Sequence, residues 1–240
     1  MTTAAVVGCT GQVGSHILCT LLSLDTVKAV HTISRRTPKP ESSSGTSREH
    51  SAHVESDTSK WASTLAAISP PPDVVFSALG TTREQAGGIA NQWRIDHDLN
   101  VELSKSAHAH GIKSFIFVSC ASTQGPLARL MPYLQMKQGV ENAIRSLDFE
   151  QAIVLRPGLI LGHREQEHQG APILKSLIRG IGGFSQAWHD NLGQEPDVIA
   201  RAAVKAALYP EADNGAPGRY RVIERQEIVR LGRDEWTFGK

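Results

Sequence analysis

The chain reads VVGCTGQVGSH over residues 6–16, and this stretch decides the fold. Its three glycines, Gly8, Gly11 and Gly14, stand between a short apolar run and a segment whose leucines recur at helical spacing. Glycine lacks the Cβ that would block a tight turn and keep a pyrophosphate away, and the third glycine lets a helix pack closely on a sheet. A helix that begins here points unpaired N–H groups at an anion. The stretch therefore predicts a strand, a phosphate-binding turn and a helix; the alternative is a tight turn without a ligand.

The next predicted strand, residues 28–34, ends at two cations. Arg35 and Arg36 follow Ser34 at a place where folds that bind NAD carry an acidic residue for the ribose 2′-hydroxyl. A guanidinium instead matches the geometry of a 2′-phosphate. The pattern predicts NADP(H) rather than NAD(H), with an exposed basic turn as the alternative. It also disfavours an isomerase or epimerase that holds NAD tightly.

Composition excludes several classes of protein. A formal net charge of +1 over 240 residues argues against general affinity for nucleic acid or for an anionic membrane. Three cysteines without C-x-x-C spacing favour neither a disulfide framework nor a metal site, and indicate a reducing compartment. No stretch approaches the roughly 20 apolar residues that span a bilayer. The first strand starts so close to Met1 that we expect no cleavable leader.

Apolar strands alternate with helical segments along the chain. Strands are predicted at residues 3–7, 28–34, 52–55, 73–78, 114–119 and 150–155. Such alternation is typical of βαβ units in a parallel sheet with both faces covered. We predict an α/β fold, a doubly wound parallel Rossmann sheet in one domain over residues 1–240. About residues 1–156 would form the cofactor-binding core and about 157–240 a small substrate-side region, while the polar residues 37–60 would form a mobile loop around the strand at 52–55.

Ligands of this fold bind at the carboxyl ends of the strands, so residues near predicted strand ends should line one crevice. We predict cofactor contacts from Gly8, Thr10, Gly11, Gln12, Val13, Gly14, Ser34, Arg35, Arg36, Asp57, Leu79, Gly80, Thr81, Lys137, Pro157 and Gly158. Asp57 has an equal alternative as a helix cap. For Pro157 and Gly158, the equal alternative is a turn that makes no cofactor contact. Asp96 and Asn100, one turn apart on a predicted helix, are expected to be solvated on its surface.

A tyrosine and a lysine stand four residues apart in the sequence MPYLQMKQ, residues 131–138. Proline suits the first position of a helix, so Tyr133 and Lys137 would share one helix face. A cation beside a phenol favours the phenolate and so lowers the pKa of the tyrosine. Such a tyrosine can donate a proton to a carbonyl oxygen or remove one from an alcohol. Lys137 could also hold the nicotinamide ribose; the alternative is an ordinary amphipathic helix.

Together these motifs resemble an atypical short-chain dehydrogenase/reductase. The motifs are GCTGQVG at 8–14, SRR at 34–36, LGTTR at 79–83, the pair Tyr133 and Lys137, and LRPG at 155–158. More narrowly, the chain resembles the fungal mitochondrial-proteome family, which is similar to the animal Tat-interacting-protein oxidoreductases. The resemblance implies NADPH binding, an oxidoreductase of undefined substrate, and peripheral attachment to the mitochondrial outer membrane.

The resemblance also implies a serine after the strand at 114–119, which would bond the substrate oxygen together with the tyrosine. The chain reads Val-Ser-Cys-Ala-Ser over residues 118–122, so a cysteine takes the second place of the usual serine pair. A thiol is a weak donor, so Ser119 or Ser122 would supply the hydroxyl, with Ser119 slightly favoured. A redox or nucleophilic role for Cys120 is disfavoured.

The residues favour an NADPH-dependent reductase of a carbonyl, enone or quinone-like small molecule. Tyr133 would be the acid, Lys137 its electrostatic partner, and Ser119 or Ser122 the second donor. The alternative is a noncatalytic NADP(H)-binding regulatory or scaffold protein, since the same fold supports unrelated functions. The sequence predicts no metal, and it indicates neither the substrate nor the oligomeric state.

Overall fold

The structure, a computed structural model, describes residues 1–39, 49–161, 193–209 and 219–237. Its strands are β1 (Thr2–Val7), β2 (Val27–Ser34), β3 (Glu49–Val54), β4 (Val74–Ser77), β5 (Ser114–Val118), β6 (Gln151–Arg156), β7 (Leu159–Ile160), β8 (Gly193–Gln194) and β9 (Tyr220–Glu224). Its α-helices are α1 (Gln12–Ser23), α2 (Trp61–Ala66), α3 (Ile89–Trp93), α4 (Leu99–Ala109), α5 (Pro132–Ser146), α6 (Pro196–Leu208) and α7 (Arg225–Val229). A π-helical turn, Arg94–Asp98, joins α3 to α4, and a second one, Arg230–Asp234, follows α7.

Seven strands form one sheet in the order β3-β2-β1-β4-β5-β6-β9, and every neighbouring pair is parallel. The chain reverses the direction in which it adds strands at β1, whose neighbours are β2 and β4. In such sheets the ligand crevice lies beyond the carboxyl ends of the strands at this switch point. The predicted doubly wound parallel Rossmann sheet is confirmed.

Both faces of the sheet are buried, as the apolar runs of its strands require. Successive side chains of a strand point to opposite faces, so Ala4 and Val6 join one core cluster while Ala5 and Val7 join the other. Helices α1, α6 and α7 contribute to the first cluster, and α2, α4 and α5 to the second. This two-sided packing holds β1 and β4 rigidly, and with them the turns at their carboxyl ends.

The structure revises one expectation about the organisation of the chain and adds to another. Strand β3 begins at Glu49, three residues before the predicted start, within the stretch predicted as a loop. It is a mostly polar edge strand without a buried residue, and it is held by backbone pairing to β2 rather than by apolar burial, so periodicity indicated it weakly. The region predicted for the substrate side also contributes to the core, because β9 pairs with β6 and α6 packs against the sheet.

The rest of the predicted substrate side is described only in part, because residues 162–192 lie outside the described residues. In the portion of the chain that the structure covers, no helix combines the length and apolarity needed to cross a membrane.

Candidate active site

The glycine turn after β1 fits closely against the end of β4. Gly8 has φ +83°, and a Cβ there would lie 2.8 Å from the carbonyl carbon and oxygen of Ala78. Gly11 caps α1 without a side-chain hydrogen bond to the helix, its first turn holds no acidic residue, and Thr10 and Gly11 are exposed. A helix start of this kind presents N–H groups and the positive end of the dipole to an anion. The residues of this turn therefore fit a diphosphate.

Gly14 allows a direct test of this close packing. A Cβ on Gly14 would lie 2.1 Å from the carbonyl oxygen of Gly8. Helix propensity alone predicts that Gly14→Ala stabilises the protein by about 1 kcal/mol. The backbone clash predicts the opposite, a loss of about 1–3 kcal/mol with weaker dinucleotide binding as the turn is displaced. Urea denaturation and a fluorescence titration with NADPH measure both effects.

His16→Ala is the matched control, because His16 is exposed two residues further along the same helix. It should leave stability and dinucleotide affinity close to the wild type. A stabilised Gly14→Ala variant with unchanged affinity would contradict the packing described for the turn.

The end of β2 presents the two predicted arginines. Ser34 is buried, and its hydroxyl donates to the backbone oxygen of Arg36 at 2.7 Å, which fixes the turn. Both arginine side chains are exposed. Asp57 accepts hydrogen bonds at Oδ1 from the backbone N–H of Ser59 (3.0 Å) and from its hydroxyl (2.7 Å), which hold the pKa of Asp57 below its ordinary value. Asp57 thus caps the short helix Thr58–Lys60, and the capping alternative is confirmed.

Helix α5 places Tyr133 and Lys137 at the carboxyl ends of β4 and β5. Tyr133 is 37% exposed, whereas Lys137 is 2% exposed. The Nζ atom of Lys137 donates to the backbone oxygens of Leu79 (3.0 Å) and Val118 (3.4 Å) and lies 6.0 Å from the centre of the Tyr133 ring. The two residues therefore share one helix face, with the ammonium buried and the phenol at the surface of the crevice.

The loop after β5 carries the two candidate serines, Ser119 and Ser122, and Cys120 between them. Ser119 is buried, and its hydroxyl donates to Oε1 of Glu141 at 2.6 Å. Ser122 is exposed in the left-handed region, at φ +68°. The thiol of Cys120 lies beside Tyr133, and burial raises the pKa of Cys120 to about 11. The thiol therefore stays protonated near neutral pH and can serve as a weak hydrogen-bond partner beside the phenol.

The turn after β6 is tied to the rest of the protein through its backbone. The carbonyl oxygen of Pro157 accepts from the N–H of Ala121 at 2.7 Å. The N–H of Gly158 donates to Oε1 of Gln194, a buried residue, at 2.7 Å. These bonds hold the loops after β5 and β6 together at one side of the crevice. Sequence analysis did not single out Gln194, which lies on the short strand β8.

One known protein family matches the part of the sequence that holds most of this site. The match to the NAD dependent epimerase/dehydratase family runs over residues 4–187, which include the glycine turn and the Tyr133/Lys137 helix. The chain belongs to this family. Within the family, it is 54% identical over 98% of its length to Protein FMP52, mitochondrial, from Chaetomium globosum, and this match covers 99% of that protein. A protein of the same description from Neurospora crassa is also 54% identical, over 98% of this chain and 97% of that protein.

Solved structures with low sequence identity to this chain share its fold. A short-chain dehydrogenase/reductase from Saccharomyces cerevisiae superposes with a TM-score of 0.68 at 17% identity, over 97% of this chain and 100% of that one. The UDP-Glc/GlcNAc 4-epimerase of Campylobacter jejuni gives a TM-score of 0.66 at 16% identity, over 96% of this chain and 82% of that one. The predicted resemblance to atypical short-chain reductases of the fungal mitochondrial-proteome family is confirmed.

The expectation for Asp96 and Asn100 was wrong, because both side chains are fully buried. Asn100 accepts from the hydroxyl of Ser77 (2.6 Å) and donates to the backbone oxygens of Ile95 and Asp96 within the π-helical turn. A π-turn disturbs the regular bonding of a helix and leaves carbonyls that need donors, which the Asn100 amide supplies. Helical periodicity alone could not show this, because the turn rotates the residues around it.

Sequence analysis also missed a buried acid on α5. Glu141 accepts hydrogen bonds from Ser119, from Thr123 at 3.0 Å, and from Arg156 at two atoms, 3.2 and 2.5 Å away. Arg156 also donates to Glu224 on β9 at 3.0 Å. The signal was present in the sequence, because Glu141 continues the four-residue spacing of Tyr133 and Lys137 and so lies on the same helix face.

Proposed function

We propose that this protein is an NADPH-dependent oxidoreductase that reduces a carbonyl, enone or quinone-like small molecule. One residue carries the proposal because it contacts both halves of the candidate site. The backbone nitrogen of Leu79 lies 3.0 Å from where a Cβ on Gly8 would stand, and its backbone oxygen accepts from Lys137 at 3.0 Å. The turn that fits a diphosphate and the helix that carries Tyr133 are therefore neighbours.

The side chains of this site would divide the work of a reduction. Bound NADPH would supply the hydride. Tyr133, partly exposed at the crevice, would donate its proton to the substrate oxygen. The buried ammonium of Lys137 would favour the phenolate that this transfer leaves. Cys120, beside Tyr133, would help to orient the phenol, while Ser119 is engaged by Glu141.

The choice of NADPH over NADH depends on Arg35 and Arg36. Each guanidinium that bonds a 2′-phosphate contributes about 1.5–3 kcal/mol, which corresponds to roughly 10–100-fold in affinity. We expect Arg35→Ala/Arg36→Ala to weaken NADPH binding at least by this factor and to leave NADH binding unchanged. Fluorescence titrations with both dinucleotides measure the two affinities.

Lys28→Ala provides the control for removal of a positive charge, because Lys28 is exposed at the opposite end of β2. It should not alter the preference between the two dinucleotides. A wild-type preference for NADH, or an equal loss of both affinities in the double variant, would refute the cofactor assignment.

Turnover separates this proposal from its alternative. NADPH consumption should be measured with a panel of aldehydes, ketones, enones and quinones. Oxidation of NADPH that depends on one of these compounds supports the reductase. Tight NADPH binding without turnover, together with a stable protein partner, would favour the noncatalytic regulatory or scaffold role, for which the replacement of a serine by Cys120 is the favouring observation.

We further propose that the protein is attached peripherally to the mitochondrial outer membrane. The names of the similar fungal proteins, which call them mitochondrial, support the organelle. Release of the protein from isolated mitochondria by alkaline carbonate, with protease sensitivity in intact organelles, would support the peripheral and outer location.

A further inference from the structure

Asp96 lies beneath the loop that follows β4. Its side chain is 0% exposed, on the π-helical turn Arg94–Asp98. Its Oδ2 atom accepts from the backbone N–H of Thr81 at 2.9 Å. Its Oδ1 atom lies 3.7 Å from Nζ of Lys137 and receives no hydrogen bond from the described residues. A buried carboxylate with a free oxygen is costly unless a charge compensates it, and Lys137 supplies that charge.

The buried positive charge of Lys137 needs a compensating charge as much as the carboxylate of Asp96 does. Its two hydrogen bonds go to neutral backbone oxygens, and its Nζ lies 4.9 Å from the centre of the Phe117 ring. Carbonyl dipoles and a ring face favour a cation, but they carry no net charge. Burial lowers the pKa of Lys137, and the nearby Asp96 carboxylate raises it again.

The remaining ionisable groups around Lys137 are less suited to compensate its positive charge. Glu141 is bonded to Arg156, which neutralises it. The pKa of Cys120 is about 11, so its thiol is uncharged near neutral pH, and Tyr133 is the group on which Lys137 would act. The ion pair also lies directly under the crevice surface, because a Cβ on the exposed Gly80 would lie 3.4 Å from Oδ1 of Asp96 and 3.7 Å from Nζ of Lys137.

We propose that Asp96 is a positioning residue, whose carboxylate keeps Lys137 as a fixed ammonium facing Tyr133 although it touches neither substrate nor cofactor. The consequence for Tyr133 rests on the proposed function, whereas the ion pair itself does not. The acidity of the phenol then depends on a residue one helix away, and the same carboxylate holds the loop at Thr81 in place.

Asp96→Asn tests the charge of Lys137 in the protein without substrate or cofactor. Asparagine keeps an acceptor for the Thr81 N–H, while its NH2 group takes the place of Oδ1 and the negative charge is lost. The protonation of Lys137 can be followed by NMR of ¹³C-labelled lysine, with the Lys137 signal assigned from its loss in Lys137→Met. We expect its titration midpoint to move to lower pH by about one unit or more in Asp96→Asn.

Asp98→Asn is the matched control, since Asp98 lies on the same π-helical turn but is exposed and bonded to His97. In Asp98→Asn, the NMR signal of Lys137 should titrate as in the wild type. A wild-type titration in Asp96→Asn, or a shift to higher pH, would overturn the proposal. If Asp96→Asn does not fold, Asp96→Asn/Lys137→Met should restore the fold, because it removes both charges; failure of the double variant to do so would also overturn it.

Where NADPH-dependent turnover is found, its pH profile adds a second readout. The loss of reduction at alkaline pH, set by the proton of Tyr133, should move to higher pH in Asp96→Asn because a neutral Lys137 no longer favours the phenolate. If Asp96 had only a structural role, Asp96→Asn would lower kcat without shifting the alkaline side of the pH profile. Absence of turnover in the wild type would refute the proposed function, while the lysine titration would still decide the role of Asp96.

Discussion

Replacing Tyr133 by phenylalanine is expected to lower kcat for carbonyl reduction by about 10²–10⁴-fold, the usual contribution of a positioned proton donor. The substitution removes a single hydroxyl from a partly exposed ring at the crevice. Since the ring remains and the diphosphate turn lies on other elements, the affinity for NADPH should stay close to that of the wild type. Steady-state kinetics and a fluorescence titration of the same preparation measure the two quantities.

Tyr209→Phe makes the same chemical change elsewhere. The hydroxyl of Tyr209 bonds Thr26, just before β2 begins, and so lies at the end of the sheet away from the crevice. It should leave kcat unchanged. Retention of full activity by Tyr133→Phe would exclude Tyr133 as the acid.

Loss of the Glu141 charge is expected to give the largest change in stability. In Glu141→Gln the buried guanidinium of Arg156 loses its main counter-ion, and breaking a buried ion pair from one side typically costs about 3–5 kcal/mol. Ser119 and Thr123 would also lose a charged acceptor, which loosens the loop that carries Cys120. Urea denaturation with an unchanged m-value should report the loss as a lower midpoint.

Glu224→Gln tests whether burial is the cause, because Glu224 bonds the same arginine with a side chain that is 57% exposed. Pairs of this kind contribute less than about 1 kcal/mol, so this variant should remain near the wild-type midpoint. Glu141→Gln/Arg156→Met, which removes both buried charges, should be more stable than Glu141→Gln alone. Equal losses in Glu141→Gln and Glu224→Gln would contradict the role given to the buried network.

Most of the fold was predictable because it depends on local pattern. The glycine turn, the apolar strands and the proline at the start of α5 each act over a few residues, and the structure has them where they were predicted. Strand β3 was placed three residues late because backbone pairing at a sheet edge leaves little trace in side-chain polarity. The capping role of Asp57 was open in the sequence, because an acid after a strand can serve a ligand or a helix equally well.

By itself, the sequence determined a parallel Rossmann sheet, a turn that fits a diphosphate, and a tyrosine and a lysine on one helix face, because periodicity and glycine stereochemistry are local properties of the chain. Only the tertiary structure decided which polar groups meet. It buried Asp96 against Lys137, engaged Ser119 with Glu141 and brought Cys120 to the phenol. Each of these contacts joins a residue of α5 to another element, and such partners are set by how the helices pack against the sheet, which residue spacing does not encode.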